Sequence, residues 1–420
     1  MKRRILIGCC LLIALIVPLA CQRHEPPVKV GILHSRTGTM AISEKPVIDA
    51  TLFAIEQINR NGGVLGRRIE AVVVDGASDP PRFASQARRL IRAEKVAVIF
   101  GCWTSASRKE VKEVVEKEHS LLIYPIQYEG VESSPNIIYT GSVPNQQIKP
   151  AVKWALDHLG RSFYLVGSDY IFPRVANALI KDLAGFLGAT VTGESYLPLG
   201  ATDFDQTVQE IAASRPSVVF NTLNGDSNLA FFAALQRHGL TADRLPVISF
   251  SIAETEVQAM RAKLGNEALI GHYAASSYFE TLPGEENAAL VSRFASRYGK
   301  DSRLTDPMVA AYAGVLLWAQ AATDAGTLDP TAIRHAFARQ SMKGPGGIIY
   351  IDDRNGHAWK TARIGRINAE GRFDLLWQSA KPIRPEPFPS YAARSRWQTM
   401  ERDFYAQWGN RWENSVESKQ

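Results

Sequence analysis

The stretch VAVIFGCWTSASRKEVKEVVEKEH, residues 96–119, passes without a break from an apolar segment to a charged one. VAVIFG (96–101) is the continuous apolar run expected of a strand covered on both faces. SRKEVKEVVEKE (107–118) has helical spacing, with Val111, Val114 and Val115 on one side. A strand feeding straight into a helix is half of a βαβ unit. Between the two lie Trp103 and the hydroxyl residues Thr104, Ser105 and Ser107, an unusual delivery to a helix start.

The same alternation extends outward. VKVGILHS (28–35), RIEAVVVDG (68–76) and LLIYPIQ (121–127) read as further strands, and VIDATLFAIEQINRNGG and PRFASQARRLIRAEK as the helices between them. Buried strands separated by amphipathic helices predict a parallel sheet with helices on both faces. A second run of the same kind follows, with strands SFYLVGSDY (162–170), ATVTGESYLP (189–198), SVVFNTL (217–223) and PVISFS (246–251). Past Tyr273 the pattern turns helical. A hairpin region (347–378) then carries the turn signals RNGH and AEGR. The fold class expected is α/β: two doubly wound lobes with a ligand cleft between them.

The chain has 420 residues, 45% hydrophobic and 21% charged, enough for a sizeable core in each of two lobes. MKRR followed by ILIGCCLLIALIVPLA is the basic and apolar layout of an export signal, residues 1–20. An uncleaved membrane anchor is the alternative. Cys9 and Cys10 lie in that segment and Cys21 closes it, so the body holds only Cys102 and no internal disulfide is available. Removing residues 1–20 deletes three basic groups and no acidic one, lowering the net charge from +6 to +3. Nothing in this balance points to nucleic acid.

In open parallel sheets ligands bind beyond the carboxyl ends of the strands. Four such ends carry aromatic and neutral polar groups: Trp103 with Ser105; Tyr124, Gln127 and Tyr128; Ser168, Asp169 and Tyr170; Thr222, Asn224 and Asp226. Together they read as a pocket lining. Individually, Thr104 or Ser105, Asp169 and Asp226 read equally well as helix caps, and Trp103 as core. Glu254, after another strand, is a pocket candidate or a first-turn acid. No phosphate-binding loop, dinucleotide fingerprint, nucleophile elbow or zinc-protease motif is present. The histidines have no ligand spacing and Cys102 no neighbouring histidine, so neither catalysis nor a metal or other cofactor is expected.

GCWTSASRK, YPIQYEGVESSPNIIYTG, PNQQIKPAV, YLVGSDYIFPR and FNTLNGDSN together resemble the urea- and short-chain-amide-binding branch of the periplasmic binding proteins of ABC transporters. The resemblance spans roughly residues 28–388. It implies a type I binding protein whose chain crosses between lobes three times, with lobe one at 28–143 plus 273–345 and lobe two at 144–272 plus 346–388. It also implies ligand contacts at Trp103, Ser105, Tyr124, Gln127, Tyr170, Asn224 and Asp226. The ligand implied is a small neutral amide (urea, acetamide or formamide), and the partners are ABC permease subunits or, alternatively, a receptor or histidine kinase reading closure. An amide hydrolase is the rival of another class. PLAC resembles a lipobox with Pro18 in place of its usual aliphatic residue, which implies a periplasmic protein anchored to the membrane through acylated Cys21.

Residues 389–420 lie outside that resemblance. Trp397, Met400, Phe404, Trp408 and Trp412 recur at intervals of three and four, one stripe of a helix. The stripe either packs on its own lobe or docks a partner or the membrane surface. Either way, deleting 390–420 is expected to leave ligand binding intact.

Overall fold

The computed structural model describes residues 25–338 and 340–414, so the export segment 1–20 and the lipidation site Cys21 lie outside the described residues. The first sheet comprises β1 (Val28–His34), β2 (Ile69–Asp75), β3 (Ile99–Gly101), β4 (Leu122–Tyr124) and β5 (Ile137–Tyr139). Its order is β2-β1-β3-β4-β5, parallel throughout. The apolar runs are buried because helices cover both faces. Trp318, on the helix Asp306–Ala325, meets Phe100 edge-on at 5.8 Å.

The second sheet begins with β6 (Ser162–Ser168), β7 (Thr190–Leu197), β8 (Val218–Thr222), β9 (Val247–Ser249) and β10 (Tyr273–Ser276). Their order, β7-β6-β8-β9-β10, repeats that of the first sheet, and all pairings are parallel. Next, β11 (Ser341–Gly344), β12 (Gly347–Ile351) and β13 (Ala358–Trp359) form a small antiparallel sheet. Finally β14 (Arg363–Ile367) and β15 (Phe373–Gln378) add to β10 antiparallel. Both large sheets are doubly wound, the strand order reversing beside β1 and β6. Those reversal points open a crevice at the carboxyl ends of the strands.

Several boundaries differ from the sequence expectation, and β5 was not among the expected strands. Strand β3 starts at Ile99 rather than Val96. Tyr273–Ser276, placed with the return to lobe one, is instead the fifth parallel strand of the second sheet, because its backbone pairs with β9 at Ile248 and Ser249. Residues 346–359, placed in lobe two, stay against lobe one. There the His357 ring stacks on Tyr139 at 4.1 Å and the Tyr139 N–H donates to the Gly356 carbonyl. The third crossing therefore falls between β13 and β14.

The tail forms a helix, Arg394–Gln407. Trp397 is fully buried and Trp408 nearly so, in the core shared with the helix Ile171–Phe186 of lobe two. Among the described residues no helix is long and apolar enough to cross a membrane.

Candidate functional site

After β3 the backbone passes through a left-handed residue, Cys102 (φ 66°), and the next helix begins at Ser105. Such a conformation is uncommon for a residue with a Cβ and is maintained only where surroundings enforce it. Here the Cys102 N–H donates to the Leu33 carbonyl and the Tyr124 hydroxyl donates to the Trp103 carbonyl at 2.6 Å. Thr104 is the N-cap, accepting from the Ser107 N–H at 3.1 Å. The turn thus aims Trp103 across the crevice, where its indole Nε1–H donates to Asn224 Oδ1 of the other lobe at 3.3 Å.

Gln127 makes the second crossing contact. Its Nε2 donates to the Phe250 carbonyl at 2.8 Å, an oxygen that also accepts from Gln147 Nε2 at 3.1 Å. Its Oε1 accepts from no described residue. A third contact is at Thr39, whose hydroxyl accepts from the Asp226 N–H at 3.2 Å. Gly225 (φ 61°) abuts the same place: a Cβ there would lie 2.7 Å from the Thr39 carbonyl oxygen and 3.0 Å from Met40 Sδ. The lobes are therefore closed upon one another.

The remaining expected residues divide. Tyr170 is buried at the end of β6, and no described residue hydrogen-bonds its hydroxyl. Ser168 Oγ accepts from the Asn224 N–H at 3.1 Å and so holds that loop. Asp169 is bonded to Arg174 at 2.7 Å and Asn414 at 2.6 Å. Tyr128 turns away into lobe one, its hydroxyl 2.6 Å from His357 Nε2 and its ring stacked on Tyr139. Asp226 is exposed, and its carboxylate makes no capping bond to the helix Ser227–Arg237. Glu254 is buried. Its Oε1 accepts from the Glu280 N–H at 2.8 Å while Oε2 has no partner, and burial pushes the carboxyl up to about 8. It is thus mostly neutral at pH 7.

Ser105 belongs to a buried ionic cluster that the sequence reading missed. Its hydroxyl donates to Glu129 at 2.5 Å and accepts from Arg108 at 2.9 Å. Arg108 also donates to Glu129 at 3.1 Å and Glu132 at 3.0 Å, and its guanidinium lies 4.3 Å from the Tyr128 ring centre. Lys109 pairs with Glu132 at 3.1 Å. Burial alone would raise the Glu132 carboxyl, yet Arg108, Lys109 and Lys112 hold it well below the usual carboxylate range. His34, at the end of β1, was also missed. Its Nδ1 lies 2.8 Å from Glu44 Oε2, leaving a buried Nε2 with no partner. The strand-end rule that found Trp103 would have found it. Among the described residues no cluster suits a metal ion.

Comparison with known families matches residues 28–394 to the model described as "Periplasmic binding protein domain". The chain belongs to the periplasmic binding proteins. It is a type I member, similar to the leucine-, isoleucine-, valine-, threonine- and alanine-binding protein of Pseudomonas aeruginosa, with 24% identity across 78% of this chain and 86% of that one. A protein named limonene hydroxylase from Geobacillus stearothermophilus is 32% identical, but over only 30% of this chain and 23% of its own length. Among solved structures, a solute-binding protein of an ABC transporter from Rhodopseudomonas palustris, in complex with p-hydroxybenzoic acid, superposes with a TM-score of 0.76. It is 23% identical and covers 84% of this chain and 97% of its own. A leucine-binding protein from Thermotoga maritima superposes at 0.74, with 19% identity, 84% of this chain and 98% of its own. At these identities the structures attest the fold. As a periplasmic binding protein, this one holds a solute outside the cytoplasmic membrane.

Proposed function

We propose that the protein captures urea, or a short amide such as acetamide or formamide, between its lobes and delivers it to ABC permease subunits, tethered through acylated Cys21. The observation that carries this reading is the division of labour in Gln127. Its Nε2 is committed to closing the lobes, and its Oε1 is left as an acceptor. Urea presents four N–H donors around one carbonyl and needs such acceptors. Trp103 and Tyr170 supply flat walls, and the Tyr170 hydroxyl a further polar contact.

The charge state of the site supports a neutral ligand. Arg108 is committed to Glu129, Glu132 and Ser105, and Glu254 is mostly protonated at neutral pH. An amino acid has two ionised ends, each calling for an opposite charge. A second reading, a branched-chain amino acid, is favoured by the relatives' names and by Glu254 Oε2, which an ammonium group would satisfy.

A thermal-shift panel of urea, acetamide, formamide, leucine and 4-hydroxybenzoate separates these readings, confirmed by calorimetry. Stabilisation by the amides alone is expected. Micromolar binding of leucine or 4-hydroxybenzoate with no response to any amide would overturn the assignment.

A further inference from the structure

The tail does more than fill lobe two. Beyond the helix Arg394–Gln407 the chain returns to the crevice and lies along Asp169–Ile171 as a short antiparallel pairing, Tyr170 opposite Glu413. The Ile171 N–H donates to the Trp412 carbonyl at 3.0 Å, and the Asn414 N–H to the Asp169 carbonyl at 2.9 Å. Asn414 Nδ2 donates to Asp169 Oδ2 at 2.6 Å. The tail therefore fixes the backbone on both sides of Tyr170. It also reaches lobe one. Lys109, nearly buried on the helix that begins at Ser105, pairs with Glu401 at 2.7 Å and lies 4.7 Å from the Trp412 ring centre. Lys109 is bonded in turn to Glu132, so the link runs into the ionic cluster behind Ser105.

We propose that residues 401–414 are a part of the binding site in their own right: a strap that positions Tyr170 from lobe two and latches onto Lys109 of lobe one, holding the closed form. This rests on the assignment of the crevice as the ligand site. It replaces the expectation that removing the tail leaves binding intact, because that expectation placed the segment remote from Tyr170. Lys109 and Glu401 are a cross-lobe pair removed from water, where truncating one partner costs more than at the surface. The indole face of Trp412 gives the same ammonium a second attraction.

The test compares the full mature chain with one ending at Trp408 that also carries Glu401→Gln. Trp397 and Trp408 remain, so the shortened chain keeps the two buried tryptophans of the tail stripe and is expected to melt cooperatively. Calorimetry with urea and acetamide is expected to show at least about tenfold weaker binding of both. Small-angle scattering without ligand is expected to show a larger radius of gyration. Should the shortened chain fail to fold, a full-length Trp412→Ala, Asn414→Ala double variant takes its place, with the same direction of change. If neither amide binds even the full chain, the functional assignment fails, while the scattering comparison still decides the strap. Unchanged dimensions together with unchanged affinity would overturn it.

Discussion

Replacing Gln127 by leucine separates the two jobs of that side chain. The first loss is the hydrogen bond from Nε2 to the Phe250 carbonyl. Gln147 continues to satisfy that oxygen, so no acceptor is orphaned and the cost is one net hydrogen bond, about 0.5–1.5 kcal/mol. This weakens closure on any ligand by about 2- to 12-fold. The second loss falls on urea. An N–H that faced Oε1 is left buried without an acceptor, at about 1–3 kcal/mol. Acetamide can turn its methyl group toward the leucine and avoid that term. Urea should therefore lose about 5- to 150-fold more affinity than acetamide. The wild-type starting point follows from ligand size. Four heavy atoms at no more than about 1.5 kcal/mol each limit binding to about 6 kcal/mol, a dissociation constant of tens of micromolar. Calorimetry with both ligands on both proteins measures all four constants. Equal losses for urea and acetamide would refute the placement of a urea N–H at Oε1, and a nanomolar ligand of many more atoms would refute the small-amide assignment.

Arg108→Met leaves Glu129 buried without its guanidinium and should cost about 3–5 kcal/mol of stability, read by guanidinium chloride unfolding since urea is the proposed ligand. A loss below 1 kcal/mol would show the cluster to be adaptable. Glu254 ionises at about 4.5 when exposed and about 8 in the folded protein. Its contribution is therefore complete below the lower value and lost as pH rises through the higher one. Wild-type stability should accordingly fall from pH 5 to 8 more than that of Glu254→Gln; parallel curves would argue that the group is solvated. Cys21→Ala should move the protein from the detergent phase to the soluble periplasmic fraction. A native protein already soluble, with another N-terminus, would show that Pro18 defeats lipidation.

The fold was legible because its signal is local: each apolar run and each helix announces itself within a few residues, and the strand-end rule then locates the crevice. It found Trp103 and Asn224, which meet across the lobes, and Gln127, which crosses to the Phe250 carbonyl. What it could not see depends on distant partners. Arg108 and Lys109 look like the solvated face of a charged helix and are buried because Glu129 and Glu132 arrive from the loop after β4. Tyr273–Ser276 reads as a lobe boundary until β9 and β14 flank it. Asp226 has the composition of a pocket acceptor, but after the turn at Gly225 it is exposed. The stripe Trp397 to Trp412 revealed a helix and not its destination, since nothing in its periodicity names Lys109.

The absence of slack at Gly225 makes closure a gauge. With the Thr39 carbonyl and Met40 too near Gly225 to admit even a methyl group, a side chain at this position would hold the lobes apart. An alanine there would keep the jaws ajar by a fraction of an ångström, stretching the contacts at Asn224 and Phe250 beyond useful length. One absent carbon thus decides how closely the two lobes can meet.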